Sequence, residues 1–248
     1  MTEGTKIPEL WQWAEYFCPW CYIAAVRLRK IMPEFDGRVR LQERAFPLEV
    51  YGSGAPIRQD IISEIWLAAL QEPEAEFEAF PDRGWPSSTM PAFEAAWIAR
   101  QQGDALGHEI DFQIRKAFFA DGRNIGRRDV IVEIAQECNL DMGHFLRLFE
   151  TQEVEFAVLE EGKLGKEQYR VRGVPTIMAS DGTKFRHPIA YADILEGKVY
   201  SVGKLPCCGE SCYELTRDIF EQTIRLAKEE QYPNSVKQGQ NINRENPN

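Results

Sequence analysis

The sequence lacks long apolar runs and any excess of positive charge. It has no stretch of about 18 consecutive uncharged apolar residues, which a membrane-spanning helix requires. The formal net charge is -10, whereas binding to a phosphate backbone needs clustered basic side chains. These absences disfavour a membrane-spanning protein and a nucleic-acid-binding protein.

Several motifs are also absent. The sequence contains no glycine-rich phosphate loop, no HExxH and no GxSxG, so no resident cofactor is implied. The first residues lack the basic and apolar regions of a secretory signal, although a chain starting at a mature terminus would look the same. We expect a cytoplasmic protein. Its 248 residues, 44% hydrophobic and 27% charged, suit one or two globular domains.

The sequence does contain six cysteines, and two of them form a CxxC in the segment FCPWCY at residues 17–22. The six are Cys18, Cys21, Cys138, Cys207, Cys208 and Cys212. In a reducing compartment such cysteines are more often catalytic, redox-active or metal-binding than permanent crosslinks. For the CxxC alone, a redox catalyst, half of a zinc site and a structural disulfide all remain open.

The pattern around this motif predicts an α/β fold. Residues 9–17 predict a strand that leads into the CxxC, residues 22–32 a helix ended by Pro33, and residues 38–46 a second strand. Helical periodicity then dominates residues 57–169, after which GVPTIMAS, the turn pair Asp181-Gly182 and TKFRHPI predict a hairpin. A final helix is predicted from about residue 212 to residue 230. The predicted units are residues 1–51, a helical insertion at 52–169, residues 170–231, and a disordered tail at 232–248.

The CPWC segment can perform thiol chemistry if a helix begins there. Cys18 would then be the N-cap and Pro19 the first helical residue, where its missing N–H leaves no hydrogen bond unmade. Free amides and the helix dipole would favour the Cys18 thiolate, which predicts that Cys18 is the attacking sulfur. Cys21, about one turn later, would resolve the mixed disulfide.

A second motif, GVPT at residues 173–176, has the form of a cis-proline at the start of a strand, although a trans proline in a plain loop is the alternative. With CPWCY, AFPLEV and NIGRRDVIVEIAQECNLD, it makes the chain resemble the DsbA-like branch of the thioredoxin fold, closest to the cytoplasmic FrnE-type proteins. The resemblance covers roughly residues 9–230.

The resemblance implies a thiol-disulfide oxidoreductase acting on disulfide-containing proteins or small thiols. Cys18 would be the nucleophile, Cys21 the resolving thiol and Pro175 the cis-proline. The backbone of Val174 would pair with an extended substrate. The predicted substrate-binding residues are Pro19, Trp20, Val174, Pro175 and Thr176.

A rival class is the related kappa-class glutathione transferases and 2-hydroxychromene-2-carboxylate isomerases, which typically have Ser where this chain has Cys18. Glutathione could then serve as a co-substrate for either class. A non-enzymatic chaperone or zinc-binding module is a third possibility. The oligomeric state is left open.

Two positions depart from the family pattern. Gln12 stands where many members carry a buried carboxylate, and a glutamine cannot titrate. Glu15 is nearer to the motif but could be an exposed strand residue, so the general base is unassigned. Trp20 replaces the histidine of strongly oxidising members, which predicts a less stabilised thiolate and a reductase or isomerase.

A second cysteine cluster, Cys207, Cys208 and Cys212, precedes the final helix. The spacing of Ser211 and Glu214 predicts a capping box that places Cys212 at the first helical position. FrnE-like proteins carry a similar CX4C arrangement, which would pair Cys207 with Cys212, and Cys208 is the competing partner. A second redox pair, a local disulfide, inert thiols and a zinc site all remain open.

The remaining cysteine and the aromatic residues of the insertion fit a core. Cys138 shares the spacing of an apolar helical face. The aromatic residues of the insertion fit core stripes better than a cofactor pocket, with a substrate groove as the alternative for some of them: Trp66, Phe93, Trp97, Phe112 and Phe119. His187 is expected to be a surface or strand residue.

Overall fold

The computed structural model describes residues 7–52, 54, 57–81, 84–149, 151–185, 188–190 and 192–231. The predicted tail at 232–248 and His187 lie outside these residues. The strands are β1 (Glu9–Ala14), β2 (Arg40–Ala45), β3 (Thr176–Ala179), β4 (Lys184–Phe185), β5 (Ala192–Leu195) and β6 (Lys198–Val202). The helices are α1 (Pro19–Ile31), α2 (Leu48–Tyr51), α3 (Arg58–Gln71), α4 (Met90–Gln102), α5 (Asp104–Phe119), α6 (Arg128–Glu137), α7 (Met142–Phe149), α8 (Gln152–Glu167) and α9 (Glu210–Gln231).

The central sheet has the strand order β2-β1-β3-β4. β1 runs parallel to β2 and antiparallel to β3, and β4 pairs with β3 as a hairpin. Helix α1 joins the two parallel strands, because a parallel pair needs a crossover rather than a tight turn. The predicted β-α-β unit, the hairpin and the α/β thioredoxin fold are confirmed.

The region between β2 and β3 is helical, as the periodicity predicts. Its described residues form α2 to α8 and contain no strand. Helix α1 ends at Ile31, and a 3-10 turn over Met32–Phe35 follows because proline cannot continue the α-helical hydrogen-bond ladder. Within the described residues, no helix combines the length and hydropathy needed to cross a bilayer.

Both faces of the sheet are covered. On one face Leu10 packs in a cluster with Leu28 of α1 and Phe220 of α9. On the other face Trp13 packs with Met178, and its indole N–H lies 3.1 Å from the sulfur of that methionine. The central strand β1 is therefore buried on both sides. This fixes the position of its carboxyl end, from which the chain continues to Cys18.

The insertion has its own apolar core, which continues into the CPWC segment. Phe93, Phe119 and Cys138 are buried there, as predicted, and Trp97 and Phe112 pack against them. Trp66 is an exception. Its side chain is 72% exposed, so the prediction that it belongs to the core is wrong. Helical spacing alone did not distinguish the inner face of α3 from its outer face.

A second sheet, the antiparallel pair β5 and β6, is absent from the sequence predictions. Its connection has Gly197 at φ 75°, a left-handed conformation that favours glycine. Gly197 also binds α3, since its N–H donates to Asp60 and its carbonyl accepts from Ser63, each at 2.7 Å. This hairpin is therefore anchored to the helical insertion.

Candidate active site

The CPWC segment begins helix α1. Cys18 is the N-cap, with φ -86° and ψ 112°, and Pro19 occupies the first helical turn. The backbone N–H of Cys21 donates to the Cys18 sulfur at 3.3 Å and to the Cys18 carbonyl oxygen at 3.0 Å. Cys18 and Cys21 are both free thiols. The predicted geometry, with the second sulfur about one turn after the first, is present.

The second predicted motif lies beside the first. The peptide bond between Val174 and Pro175 is cis, and the carbonyl oxygen of Val174 lies 3.7 Å from the Cys18 sulfur. Sheet topology explains the contact, because Trp13 near the end of β1 pairs with Thr176 at the start of antiparallel β3. Residues that are 156 positions apart therefore meet at one edge of the sheet.

Burial acts against the predicted acidity of the Cys18 thiol. Only 8% of this residue is exposed, and burial raises the pKa of its thiol well above the ordinary value. The neighbouring Cys21 and Glu64 raise it further, and the Cys21 N–H opposes them. Loss of water therefore opposes the stabilisation of the thiolate that the helix N-terminus predicts, and burial is the larger of the two effects on the pKa of this thiol.

The site at Gln12 contains no titratable group, as the sequence indicates. Gln12 is 1% exposed, and its side-chain nitrogen has no hydrogen-bond partner among the described residues. This position therefore cannot exchange a proton with Cys21.

Glu15 is a buried carboxylate rather than an exposed strand residue. It follows the end of β1 and is 0% exposed. One carboxylate oxygen accepts from the Tyr16 N–H at 2.6 Å, the Phe17 N–H at 3.3 Å and the Thr89 hydroxyl at 2.8 Å, and the other accepts from the Leu48 N–H at 2.7 Å. Burial outweighs these donors and raises the Glu15 pKa to about 7.

These four bonds connect Glu15 to three segments: the loop before Cys18, the start of α2 and the residue before α4. The sequence showed the carboxylate three residues before the first cysteine. It did not show the donors, since Leu48 and Thr89 reach Glu15 only through the packing of the insertion. Glu15 therefore links the redox loop to the helical region.

Glu64 of α3 is a second acidic residue that the sequence analysis missed. Its pKa is raised to about 7, mainly by burial and also by the charge of Asp60, while a hydrogen bond from Trp20 acts to lower it. Glu64 shares the inner face of α3 with Ile61 and Ala68, which pack in the same cluster as Cys18. The only sequence signal was a carboxylate at helical spacing between buried apolar residues.

Aromatic residues of the insertion hold both flanks of the CPWC segment. The Phe17 ring stacks on Trp85 at 6.0 Å between centroids, and the Tyr22 ring stacks on Phe119 at 5.1 Å. Trp20 itself is 7% exposed. The helical region therefore encloses the two thiols, which explains why burial has the largest effect on the pKa of Cys18.

The second cysteine cluster holds a disulfide between Cys207 and Cys212, with an S–S length of 2.04 Å, and Cys208 is a free, exposed thiol. The Cys207 sulfur lies 3.5 Å from the Gln71 side-chain nitrogen, whereas the Cys18 sulfur lies beside the Val174 carbonyl oxygen. Among the described residues, no group of three or more His, Cys, Asp or Glu side chains could hold a metal ion.

The predicted cap of the last helix is wrong. Helix α9 begins at Glu210, one residue before the predicted N-cap. The hydroxyl of Ser211 instead accepts from the Cys208 N–H at 3.1 Å and lies 3.0 Å from the Cys208 carbonyl oxygen. Cys212 is therefore the third residue of α9 rather than the first, and its sulfur is bonded to that of Cys207.

The fold and the site together define a thioredoxin-fold protein with a CxxC at a helix start beside a cis-proline. The chain belongs to the DSBA-like thioredoxin domain family, whose model matches residues 9–189. This is the family that the sequence motifs indicated.

Comparison with known proteins supports the fold. The YwbO protein of Bacillus subtilis (strain 168), described as uncharacterized, is 26% identical over 178 residues, which cover 68% of this chain and 85% of that protein. A candidate protein disulfide isomerase from Nitrosomonas europaea has TM-score 0.66 and 16% identity, covering 88% of this chain and 99% of its own. The cytosolic disulfide reductase DsbM from Pseudomonas aeruginosa has TM-score 0.62 and 19% identity with the same coverage, and it has also been solved with GSH.

Proposed function

We propose that the protein is a thiol-disulfide oxidoreductase of the reductase or isomerase type, with Cys18 as nucleophile and Cys21 as resolving thiol. The observation that carries the proposal is the Cys18 sulfur at the helix N-cap, 3.7 Å from the Val174 carbonyl oxygen. A cystine held along Val174 as an added strand would lie over this sulfur. Pro19, Trp20, Pro175 and Thr176 complete the proposed substrate site.

The reaction proceeds in two exchanges. The Cys18 thiol loses its proton, and the sulfur attacks one sulfur of the substrate disulfide, so that a mixed disulfide forms and one substrate thiolate leaves. Cys21 then loses its proton and attacks the Cys18 sulfur, which releases the second substrate thiolate. The substrate gains two electrons and two protons, and a Cys18–Cys21 disulfide forms.

Glutathione is the reductant that we propose for the return step. Two glutathione thiols reduce the Cys18–Cys21 disulfide and leave as oxidised glutathione. The support for this choice is the Pseudomonas reductase, which shares the fold and has been solved with GSH. The name of that reductase also supports a cytoplasmic location for this protein.

We propose that Cys207 and Cys212 form an auxiliary redox pair with Cys208 as the neighbouring free thiol. A disulfide between such close cysteines is more typical of redox activity than of permanent crosslinking in a reducing compartment. The free thiol adjacent in sequence gives this disulfide an internal exchange partner.

The test is insulin reduction by wild type and by single cysteine variants. Cys18→Ser should abolish turnover, and Cys21→Ser should trap a mixed disulfide detectable by mass spectrometry. Cys138→Ala is the matched control, since this buried free cysteine lies outside the site and its loss should leave turnover unchanged. Full turnover in Cys18→Ser would exclude the mechanism.

Cys18→Ser also separates this function from the glutathione-transferase and 2-hydroxychromene-2-carboxylate isomerase class. Enzymes of that class typically have serine at this position, so they would tolerate the change. Equilibration with glutathione tests the direction of electron flow. The oxidant DsbA has a reduction potential of about -120 mV, and we expect the potential of this protein to be more negative.

A further inference from the structure

A short buried loop carries the chain from the central sheet into the CPWC segment. It consists of residues 15–17, which connect Ala14, the last residue of β1, to Cys18, the N-cap of α1. Each of the three loop residues is at most 2% exposed. A side chain that fixes this loop therefore helps to fix where α1 begins, and with it the position of the Cys18 sulfur.

Arg115 of α5 binds the main chain of this loop. Its Nη1 donates to the carbonyl oxygen of Glu15 at 2.9 Å. Glu15 follows the last residue of β1, so this carbonyl lies beyond the hydrogen-bond ladder of the strand. A buried carbonyl group needs a hydrogen-bond partner, and Arg115 supplies it from the helical insertion.

Asp111, one turn earlier on α5, orients the guanidinium of Arg115. The Nε and Nη2 atoms of Arg115 donate to the two carboxylate oxygens of Asp111 at 2.8 Å and 2.9 Å, a bidentate geometry that fixes the guanidinium plane. The same carboxylate accepts the Tyr16 hydroxyl at 2.9 Å, and the guanidinium lies 4.6 Å from the centre of the Tyr16 ring. Two consecutive loop residues are therefore bound from one helix.

Stability alone does not account for this ion pair. Arg115 is 1% exposed and Asp111 is 4% exposed, so both charges have lost their hydration. A buried ion pair can often be replaced by apolar side chains without loss of stability. Apolar side chains, however, could not bind the Glu15 carbonyl oxygen in a fixed direction. The pair thus adds a defined position for the main chain three residues before Cys18.

This position matters because the other half of the site is attached separately. Val174 lies two residues before Thr176, which pairs with Trp13 of β1. The distance of 3.7 Å between the Cys18 sulfur and the Val174 carbonyl oxygen therefore depends on how residues 15–17 lead from β1 to α1. A displacement of reacting groups by about 1 Å can slow a reaction about a hundredfold.

We propose that Arg115, oriented by Asp111, is a positioning residue for disulfide exchange. It fixes the main chain before Cys18, so that the sulfur is aligned with a disulfide held along Val174. The inference rests on the proposed function, which assigns Cys18 as the nucleophile. Arg115 acts through the loop and not on the substrate, so the helical insertion aligns the reaction as well as enclosing the thiols.

The experiment uses the double variant Arg115→Met/Asp111→Asn, which removes both charges together. The variant loses the bond to the Glu15 carbonyl oxygen and keeps an amide oxygen for the Tyr16 hydroxyl. Insulin reduction is measured per folded molecule, with the folded fraction taken from circular dichroism. We expect the turnover to fall about tenfold to a hundredfold, because the sulfur is no longer aligned.

The matched control is Arg27→Met/Glu72→Gln, which removes a second buried ion pair. Both side chains of that pair are 0% exposed, and their other hydrogen bonds lead to Pro188 and Tyr213. This control should lose stability but keep wild-type turnover per folded molecule. A merely structural role for Arg115 predicts the same result for both double variants.

Alkylation of Cys18 by iodoacetamide gives a second readout, because it needs no aligned disulfide. It is followed on the Cys18 peptide in a Cys21→Ser background at neutral pH. Release of the loop should expose the sulfur and relieve the burial that raises its pKa. If the pKa falls by about one unit, the thiolate fraction rises about tenfold and its nucleophilicity falls about threefold, so we expect about threefold faster alkylation.

Two milder variants test the same bond. Tyr16→Phe removes only the hydroxyl and leaves Arg115 on the Glu15 carbonyl oxygen, so both rates should stay close to those of wild type. Arg115→Lys keeps the charge without the planar fork of the guanidinium, so its turnover should lie between those of wild type and the double variant. This variant decides the question if the double variant does not fold.

The inference is overturned if the folded Arg115→Met/Asp111→Asn protein matches the control in either rate, or if its alkylation is slower. Wild-type rates in Arg115→Lys would overturn it where only that variant folds. If wild type itself reduces no insulin, the proposed function fails. The alkylation comparison then still shows whether Arg115 holds the loop before Cys18.

Discussion

The Cys18 sulfur lies 3.7 Å from the carbonyl oxygen of Val174, which is two residues before β3, the strand that follows the helical insertion. A thiol S–H can donate to this oxygen, whereas a thiolate beside it would meet only a partial negative charge. The contact therefore acts in the same direction as burial and favours the protonated sulfur.

The first prediction concerns this acidity. Burial raises the Cys18 pKa well above its ordinary value, so the sulfur should be almost entirely thiol at neutral pH. Alkylation of the Cys18 peptide in wild type should still be accelerating at pH 9, without a plateau. A plateau below pH 8 would show that the helix N-terminus outweighs burial.

The second prediction concerns Glu15 and the pH dependence of stability. Its folded pKa is raised from 4.5 to about 7, so its stabilising contribution is present below pH 4.5 and is lost as the pH rises through 7. Wild type should therefore lose about 2 kcal/mol relative to Glu15→Gln between pH 5.5 and pH 8. Urea unfolding of both proteins at the two pH values measures this difference.

Glu15→Gln will also have a pH-independent defect, because its amide cannot accept all four donors. Subtracting the two pH values removes that constant. Glu153→Gln, on the exposed surface of α8, is the control and should follow wild type at both pH values. A difference between wild type and Glu15→Gln that stays constant with pH would contradict the raised pKa.

The local features of this site could be read from the sequence, because each depends on nearby residues. Cys18 as an N-cap follows from a proline at the first helical position, and the β3–β4 hairpin follows from Asp181-Gly182 between two apolar runs. The approach of Val174 to Cys18 required the thioredoxin topology, which came from recognising two distant motifs together.

The electrostatics could not be read in the same way. Whether Glu15 or Glu64 is buried depends on how α3 and α4 pack against the CPWC segment, and charge alone says nothing about that packing. The same holds for Cys18. A helix N-terminus alone would lower the pKa of its thiol, whereas burial by the insertion raises it. The choice of Cys207 over Cys208 depends on side-chain direction, which adjacent positions in a sequence do not reveal.

The third prediction concerns a buried ion pair between Arg27 of α1 and Glu72, the residue after α3. The Arg27 guanidinium donates to Glu72 at 2.7 Å with both side chains 0% exposed, and the Tyr213 hydroxyl donates to Glu72 at 2.8 Å. Arg27→Met leaves a buried carboxylate without its cation and should lower the free energy of unfolding by about 3–5 kcal/mol.

The double variant Arg27→Met/Glu72→Gln removes both charges and should recover part of that loss. Chemical denaturation of the two single variants and the double variant gives the coupling energy. Fully additive losses would show that the pair does not interact as the structure indicates. Cys18 reactivity should be unaffected in the folded fraction.

The fourth prediction compares two helical glycines. A Cβ at Gly165 of α8 would lie 2.7 Å from the Trp13 ring, which is 0% exposed and cannot move aside. Although alanine favours a helix over glycine by about 1 kcal/mol, overpacking of about 1–3 kcal/mol should make Gly165→Ala destabilising. Gly143→Ala of α7 is the matched control.

At Gly143 the nearest atom to a new Cβ is a carboxylate oxygen of Asp141 at 3.3 Å, a side chain in an exposed segment that can shift. Gly143→Ala should therefore be neutral or stabilising by up to about 1 kcal/mol. Thermal unfolding of the two variants and the wild type gives the sign of each stability change. A stabilising Gly165→Ala would mean that α8 does not approach β1 this closely.

The fifth prediction concerns the pairing in the second cysteine cluster. Without reductant, alkylation followed by peptide mapping should label Cys208 and leave Cys207 linked to Cys212, because the structure bonds those two sulfurs. Cys208→Ser should keep the link, whereas Cys207→Ser should leave Cys212 as a thiol that is labelled after unfolding. A peptide that joins Cys208 to Cys212 in wild type would contradict the pairing.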